Sequence, residues 1–151
     1  MDESSHDRQA SRAEVRRPVF RFERLEAWQL ARQFNRRVYA LTRNFPKDEQ
    51  FAITSQIRRA SVSVSSNIAE GSGRNSDMDF AHFLEIAYGS LMEVVSQCYL
   101  AADEGYLSPS DHEILAVEAN LLAGKIVGLS KSLGRSPRIK KSNDESRGPM
   151  A

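Results

Sequence analysis

The sequence predicts an all-α chain, an antiparallel up-down-up-down four-helix bundle with disordered N- and C-terminal tails. Three observations predict it. Apolar residues recur at spacings of three and four along four separate stretches, the pattern of helices with one buried stripe. Those stretches are bounded by proline, glycine or a capping side chain. Eight Gly and five Pro in 151 residues are too few for a loop-rich all-β chain. The length fits one domain, and a domain of this size buries roughly 70% of its extended-chain surface.

The first helix is expected from Glu23 to Asn44. Ala27, Ala31, Phe34, Val38, Leu41 and Phe45 follow one another at 4-3-4-3-4. Leu25, Trp28 and Leu30 lie outside that stripe and add apolar surface to it. Pro46 removes a backbone donor and disfavours the α region at Phe45, which ends the helix.

The second helix is expected to start at Asp48, whose carboxylate can accept from the free N–H groups of a first turn. Its stripe is Ile53, Ile57, Ala60, Val64 and Ile68. The run Ser61–Ser66 also alternates with period two, so a strand competes there. The helix is preferred because the stripe continues on both sides and no turn signal bounds the run. Gly71 and Gly73 are read as its stop.

The third helix opens at Ser76, with Asp77 and Asp79 at the positive end of its dipole. Phe80, Phe83, Leu84, Ala87, Leu91, Val94, Val95, Cys98 and Ala102 give it a broad apolar face, and Gly105 ends it. Ser108-Pro109 is a cap followed by proline at the first helical position. The fourth helix carries Ile114, Leu115, Leu122, Ile126, Leu129 and Leu133 and stops at Gly134. Short connections make successive helices antiparallel neighbours.

Residues 1–17 are expected to be a disordered arm and residues 135–151 a disordered basic tail, with residues 18–134 as the bundle. The N-terminal residues lack the apolar core of a secretory signal, and no apolar run reaches the ~18 residues of a membrane span. The expected location is the cytoplasm, with no membrane partner. A single cysteine excludes an internal disulfide framework.

The net charge of +1 hides a segregation. Residues 18–74 carry ten bases against five acids, and residues 75–134 carry two against nine. The last 17 residues carry five bases against two acids. Such asymmetry points to an oriented field, turned toward a polyanion or toward a complementary protein surface. The competing reading is that opposite signs neutralise each other within the monomer.

No constellation looks catalytic, and neither a metal site nor a cofactor is expected. Residues 18–134 hold no Glu-x-x-His of the kind that builds metal sites in bundles. His82 is read as an outward boundary residue. Cys98 lies on the apolar stripe with no cation within one turn to activate it, so it reads as core. Gly71-Ser72-Gly73-Arg74 lacks the preceding strand and the Lys-Ser/Thr ending of a phosphate loop. Two groups rise above this background. Gln56, Arg58 and Arg59 flank the buried stripe of the second helix, where guanidinium groups can fork onto carboxylate or phosphate. Asn67 and Glu70 lie one turn apart before Gly71 and are read as a shielded polar cluster that fastens helices together.

At these residues the sequence resembles the four-helix-bundle family of the 23S rRNA intervening-sequence proteins. The resemblance is carried by Phe22, Leu25 and Trp28, by Phe45-Pro46 and Phe51, and by Thr54-Ser55-Gln56-Ile57-Arg58-Arg59-Ala60. Ser66-Asn67-Ile68-Ala69-Glu70-Gly71, Phe83-Leu84, Gly89-Ser90-Leu91 and Gly105-Tyr106-Leu107 extend it. It covers residues 22–133, and Ser65 stands where the family usually has proline. The resemblance implies a left-handed bundle that assembles as a homopentameric ring, with no enzymatic activity. It also implies kinship with the accessory variability proteins of diversity-generating retroelements, whose basic pentamers associate with a reverse transcriptase and nucleic acid.

The functional expectation is a non-enzymatic oligomeric scaffold that associates with RNA or DNA, as an accessory factor to a reverse transcriptase. Arg32, Arg36, Arg43, Arg138, Lys140 and Lys141 are the candidate phosphate contacts, while Gln56, Arg58, Arg59, Asn67, Glu70 and Gly71 are candidate structural or interface residues. Arg32, Arg36 and Arg43 can share one line along the first helix. Arg37 lies about 100° round from Arg36 and is expected to face a neighbouring subunit. The surplus apolar residues of helices one and three are expected to be covered by another copy. The alternative is a self-assembling protein–protein adaptor that does not touch nucleic acid.

Overall fold

The computed structural model describes Arg17 and residues 19–134. The expected tails, with Arg138, Lys140 and Lys141, otherwise lie outside the described residues. Four helices follow one another: α1 (Glu26–Thr42), α2 (Ile53–Ser72), α3 (Asp77–Asp103) and α4 (Pro109–Ser132). A 3-10 turn at Arg21–Arg24 precedes α1, and another at Lys47–Glu49 lies between α1 and α2. The described residues contain no strand, so the Ser61–Ser66 run is helical.

Each helix packs on two others. α1 and α3 both lie against α2 and α4, and neither diagonal pair approaches backbone to backbone. The order is therefore a closed square, α1-α2-α3-α4. Cross-helix contacts show the antiparallel sense: Gln56 meets Gln97 and Ser63 meets Ser90, so numbers rise on α2 as they fall on α3. Phe34, Val38, Ile57, Val64, Ile68, Phe80, Leu84, Leu91, Val94, Leu122 and Ile126 fill the centre.

The starts of the first two helices differ from expectation. α1 does not begin at Glu23. The chain makes a 3-10 turn there and leaves it at Leu25 in an extended conformation, φ −80° and ψ 123°. The Glu23 carboxylate bonds back to the Phe20 N–H at 2.7 Å, which stabilises the separate turn. Asp48 does not cap α2. It sits in the second 3-10 turn, and the residue before α2 is Ala52, without a side-chain cap. Glu49 in that turn accepts a 3.0 Å bond from the Tyr106 hydroxyl, which ties it to the α3–α4 connection. Gly71 lies inside α2, and Gly73 follows it with φ −88°, so neither acts as a left-handed stop.

The later helix ends match. Ser76 and Ser108 accept from the Asp79 and Asp111 N–H groups, each at 3.1 Å. Gly105 has φ +79°, and Tyr106 N–H bonds the Ala101 carbonyl at 2.9 Å. That is the glycine-terminated motif that satisfies the last carbonyls of α3.

Burial corrects two apolar readings and leaves one aromatic exposed. Leu25, Trp28 and Leu30 are not free surplus but pack half-buried against the core, with Phe22 edge-on to Trp28 at 4.8 Å. Ile114 is not a core residue and is 40% exposed. Phe51 is 91% exposed beside the second 3-10 turn.

Candidate nucleic-acid interface

The outward side of α1 follows from its period. Ala27, Ala31, Phe34 and Val38 bury one stripe, which leaves Arg32, Gln33, Arg36, Ala40 and Arg43 on the solvent side. The three arginines expected to share a line are therefore all exposed. Arg36 and Arg43 border a surface depression of about 670 Å³ that also involves Gln33, Asn35, Tyr39 and Arg37. Arg32 and Arg36 border a second one of about 490 Å³ with Trp28 and Gln29. The Arg32 guanidinium lies 5.7 Å from the Trp28 ring centroid, so a flat aromatic stands beside a cation.

Among the described residues, Arg32, Arg36 and Arg43 form no ion pair. The neutralisation reading holds for other bases instead. Arg37, though still 47% exposed along its side chain, is paired within its own copy. Its Nη2 and Nε both donate to Glu118 Oε1 on α4, at 2.9 and 3.1 Å. Lys125 of α4 meets Glu26 at 2.7 Å, and its charge and hydrogen bond hold that carboxyl below the usual range. Arg74 meets Glu70 at 2.9 Å. The acids of α3, Asp77, Asp79, Glu85, Glu93 and Asp103, are exposed on the helix diagonal to α1. The free arginines of α1 and the acids of α3 thus lie on opposite sides of the square.

The motif of α2 divides into fasteners and free residues. Arg58 Nε donates to Thr42 Oγ1 at 2.8 Å, and its guanidinium lies 4.7 Å from the Tyr39 ring centroid, so it clamps α2 to α1. Gln56 is exposed and accepts a long, 3.5 Å bond from Gln97. Arg59 is exposed. Asn67 is half-buried and donates to the Ser63 carbonyl at 2.8 Å and to Ser63 Oγ at 3.0 Å. Ser63 Oγ in turn meets Ser90 on α3 at 2.8 Å. Glu70, expected to be shielded with it, is exposed and pairs only along its own helix end. A Cβ at Gly71 would come within 2.6 Å of Phe83 Cβ and 2.9 Å of the Phe80 ring, so this glycine sets how closely α2 and α3 approach.

Chemistry beyond charge is sparse. Cys98 is buried, and burial pushes its thiol up to about 11. His82 is exposed, as expected. Among the described residues, no group of three or more His, Cys, Asp or Glu side chains is placed to hold a metal ion. No helix among them is long and apolar enough to cross a membrane.

Spacing alone placed the three free arginines together. The Arg37–Glu118 pair was missed because its partners are 81 positions apart and nothing local joins them.

A search of curated proteins found no match. A crystal structure of a Bacteroides thetaiotaomicron protein of unknown function, described as from the S23 ribosomal protein family, is similar in fold. It is 21% identical, covers 70% of this chain and 98% of its own, and superposes with a TM-score of 0.65. The family model described as 23S rRNA-intervening sequence protein matches residues 23–128, which takes in all four helices except the end of α4. The chain therefore belongs to the 23S rRNA-intervening sequence protein family.

Proposed function

We propose that this protein is a non-enzymatic scaffold of the cytoplasm that gathers RNA or DNA on the outer face of α1. The observation that carries this reading is the line of Arg32, Arg36 and Arg43, exposed and without acidic partners among the described residues while Arg37 beside them is neutralised. Phosphate binding requires clustered, accessible cations and no base-specific geometry, so the reading is of sequence-independent contact. The Trp28–Arg32 pair adds a surface on which an unpaired base can stack.

A single copy with net charge +1 is a weak polyanion binder. Self-association, with the homopentamer that the resemblance implies, repeats the arginine line and raises effective concentration. The exposed acids of α3 suit a heterologous contact with exposed bases of the next copy that lie off the arginine line, such as Lys47 and Arg59, which leaves the outer face of α1 open.

The test is fluorescence anisotropy with a labelled single-stranded RNA at low salt. Replacing Arg32, Arg36 and Arg43 together with Gln is expected to weaken binding by about tenfold or more while the helical signal is unchanged. Equal affinities contradict the reading. One observation favours an adaptor instead: Phe51 is 91% exposed, the most exposed of the large apolar side chains among the described residues, and aromatic residues are enriched at protein interfaces. A reverse transcriptase is the protein partner to try in that case, with Phe51→Ala expected to release it.

A further inference from the structure

Two flat rings stand beside the arginine line. Trp28 and Tyr39 are 11 residues apart on α1, which is three turns plus about 20°. They therefore share one side of the helix, about 16 Å apart along its axis. Arg32, Arg36 and Arg43 follow Trp28 by 4, 8 and 15 residues, which sets them about 40–80° round on the neighbouring strip. Both rings are half-buried. Trp28 borders the depression of about 490 Å³ and Tyr39 the one of about 670 Å³. Gln33 and Arg36 border both, so the two depressions adjoin at mid-helix.

A guanidinium backs each ring. Arg32 lies 5.7 Å from the Trp28 centroid. Arg58, fixed by its bond to Thr42, lies 4.7 Å from the Tyr39 centroid and reaches it from α2, while the depression that Tyr39 borders has no α2 residue in its wall. Two carboxylates also border the depressions, and each is paired with an arginine. Glu23 meets Arg17 at 3.1 Å, and Glu118 meets Arg37 at 2.9 Å. The strip thus combines two rings and three free cations with acids that are already paired.

We propose that this strip is a two-station site for single-stranded nucleic acid, with one base stacking at Trp28 and another at Tyr39 while Arg32, Arg36 and Arg43 hold the phosphates. In a duplex the bases face one another inside the helix and follow at about 3.4 Å along each strand, so none can be laid on a side chain. An unpaired strand turns its bases outward onto aromatic or guanidinium planes. Every base has a π-face, so the stations accept any sequence. This inference rests on the nucleic-acid reading above and adds which form is bound and by what besides charge.

Trp28 is the only tryptophan of the chain, so its fluorescence follows one station directly. The probes are a mixed-sequence RNA about 12 nucleotides long, an abasic strand of the same length, which keeps the phosphates and lacks the bases, and the RNA annealed to its complement. At low salt the intact single strand is expected to quench Trp28, and the abasic strand and the duplex are expected to leave it nearly unchanged. The intact strand is expected to bind about tenfold or more tighter than the abasic one. Tyr39→Leu is expected to weaken binding of the intact strand by about fivefold or more and to leave the abasic strand unaffected, whereas a loosened fold would weaken both. Equal affinity for intact and abasic strands without quenching, or equal quenching by the duplex, contradicts the stacking stations. If the Arg32, Arg36, Arg43 triple Gln variant still binds more weakly, phosphate contact stands without them. No binding of any strand at low salt contradicts both.

Discussion

At Gly71 a single hydrogen in place of a side chain decides how two helices pack. The nearest contacts of an added Cβ are the Phe83 Cβ and the Phe80 ring, anchored groups rather than flexible tips. Gly71→Ala is therefore expected to cost about 1–3 kcal/mol in thermal or urea unfolding. Gly73→Ala, whose Cβ would sit 3.5 Å from the Glu70 carbonyl, is expected to be nearly neutral. Cys98 gives a second residue-level test. With its thiol pushed up to about 11 by burial, about one molecule in a thousand is thiolate at pH 8. The native protein is expected to react with a thiol reagent only as fast as it opens, and immediately once unfolded. The sign for stability follows. The folded state holds the thiol proton more tightly, so this group's contribution is complete below the unfolded thiol's range and is lost as pH rises toward 11. Cys98→Ala is expected to flatten that alkaline decline. The core role of Cys98 was legible in its place on the α3 stripe. The tight role of Gly71 was not, because a glycine near a helix end reads as a stop until the facing phenylalanines are in place.

The helices differ in how much of them the sequence discloses. The middle of each was legible from period alone, and Ile57, Val64 and Ile68 of α2 are all buried where the stripe puts them. Ile57→Ala and Ile68→Ala are each expected to destabilise by about 2–5 kcal/mol, measured by chemical denaturation. The Ser61–Ser66 run is a helix face of small polar groups rather than a strand. Ser61 donates to Asn35 on α1 at 2.9 Å and Ser63 meets Ser90 on α3, so alternate serines serve opposite neighbours. The helix continues through Ser65, whose hydroxyl donates to the Val62 carbonyl at 3.1 Å. The starts of α1 and α2 were not legible. A continuous apolar pattern hid the extended residue Leu25, and the capping chemistry of Asp48 lost to a turn held by Tyr106 from the α3–α4 connection, 57 positions on. The outward face of α4 was hidden for a related reason. Ile114 sits next to Leu115, and hydrophobicity without a clear angle assigns both to the core, although Leu115 is buried and Ile114 is not.

On the scale of the whole molecule, the near-zero net charge conceals two poles. The square arrangement sets α1 and α3 on a diagonal, so the free arginines of α1 and the exposed acids of α3 end on opposite sides. The free arginines were legible from their spacing, but which of their neighbours is neutralised depends on α4 and became visible only in the fold. That distinction separates the proposed function from general attraction between a basic protein and a polyanion. Arg36 and Arg37 are adjacent in sequence and equal in charge, but Arg37 is bound to Glu118. The most direct measurement is the dependence of RNA affinity on salt for wild type, the Arg32, Arg36, Arg43 triple Gln variant and Arg37→Gln. Each phosphate contact contributes about 0.7 to the logarithmic slope on single strands, so the triple variant is expected to lose about 2 from the slope for each subunit engaged. Arg37→Gln is expected to keep the wild-type slope. An equal loss of slope at Arg37, or no loss in the triple variant, would contradict the account.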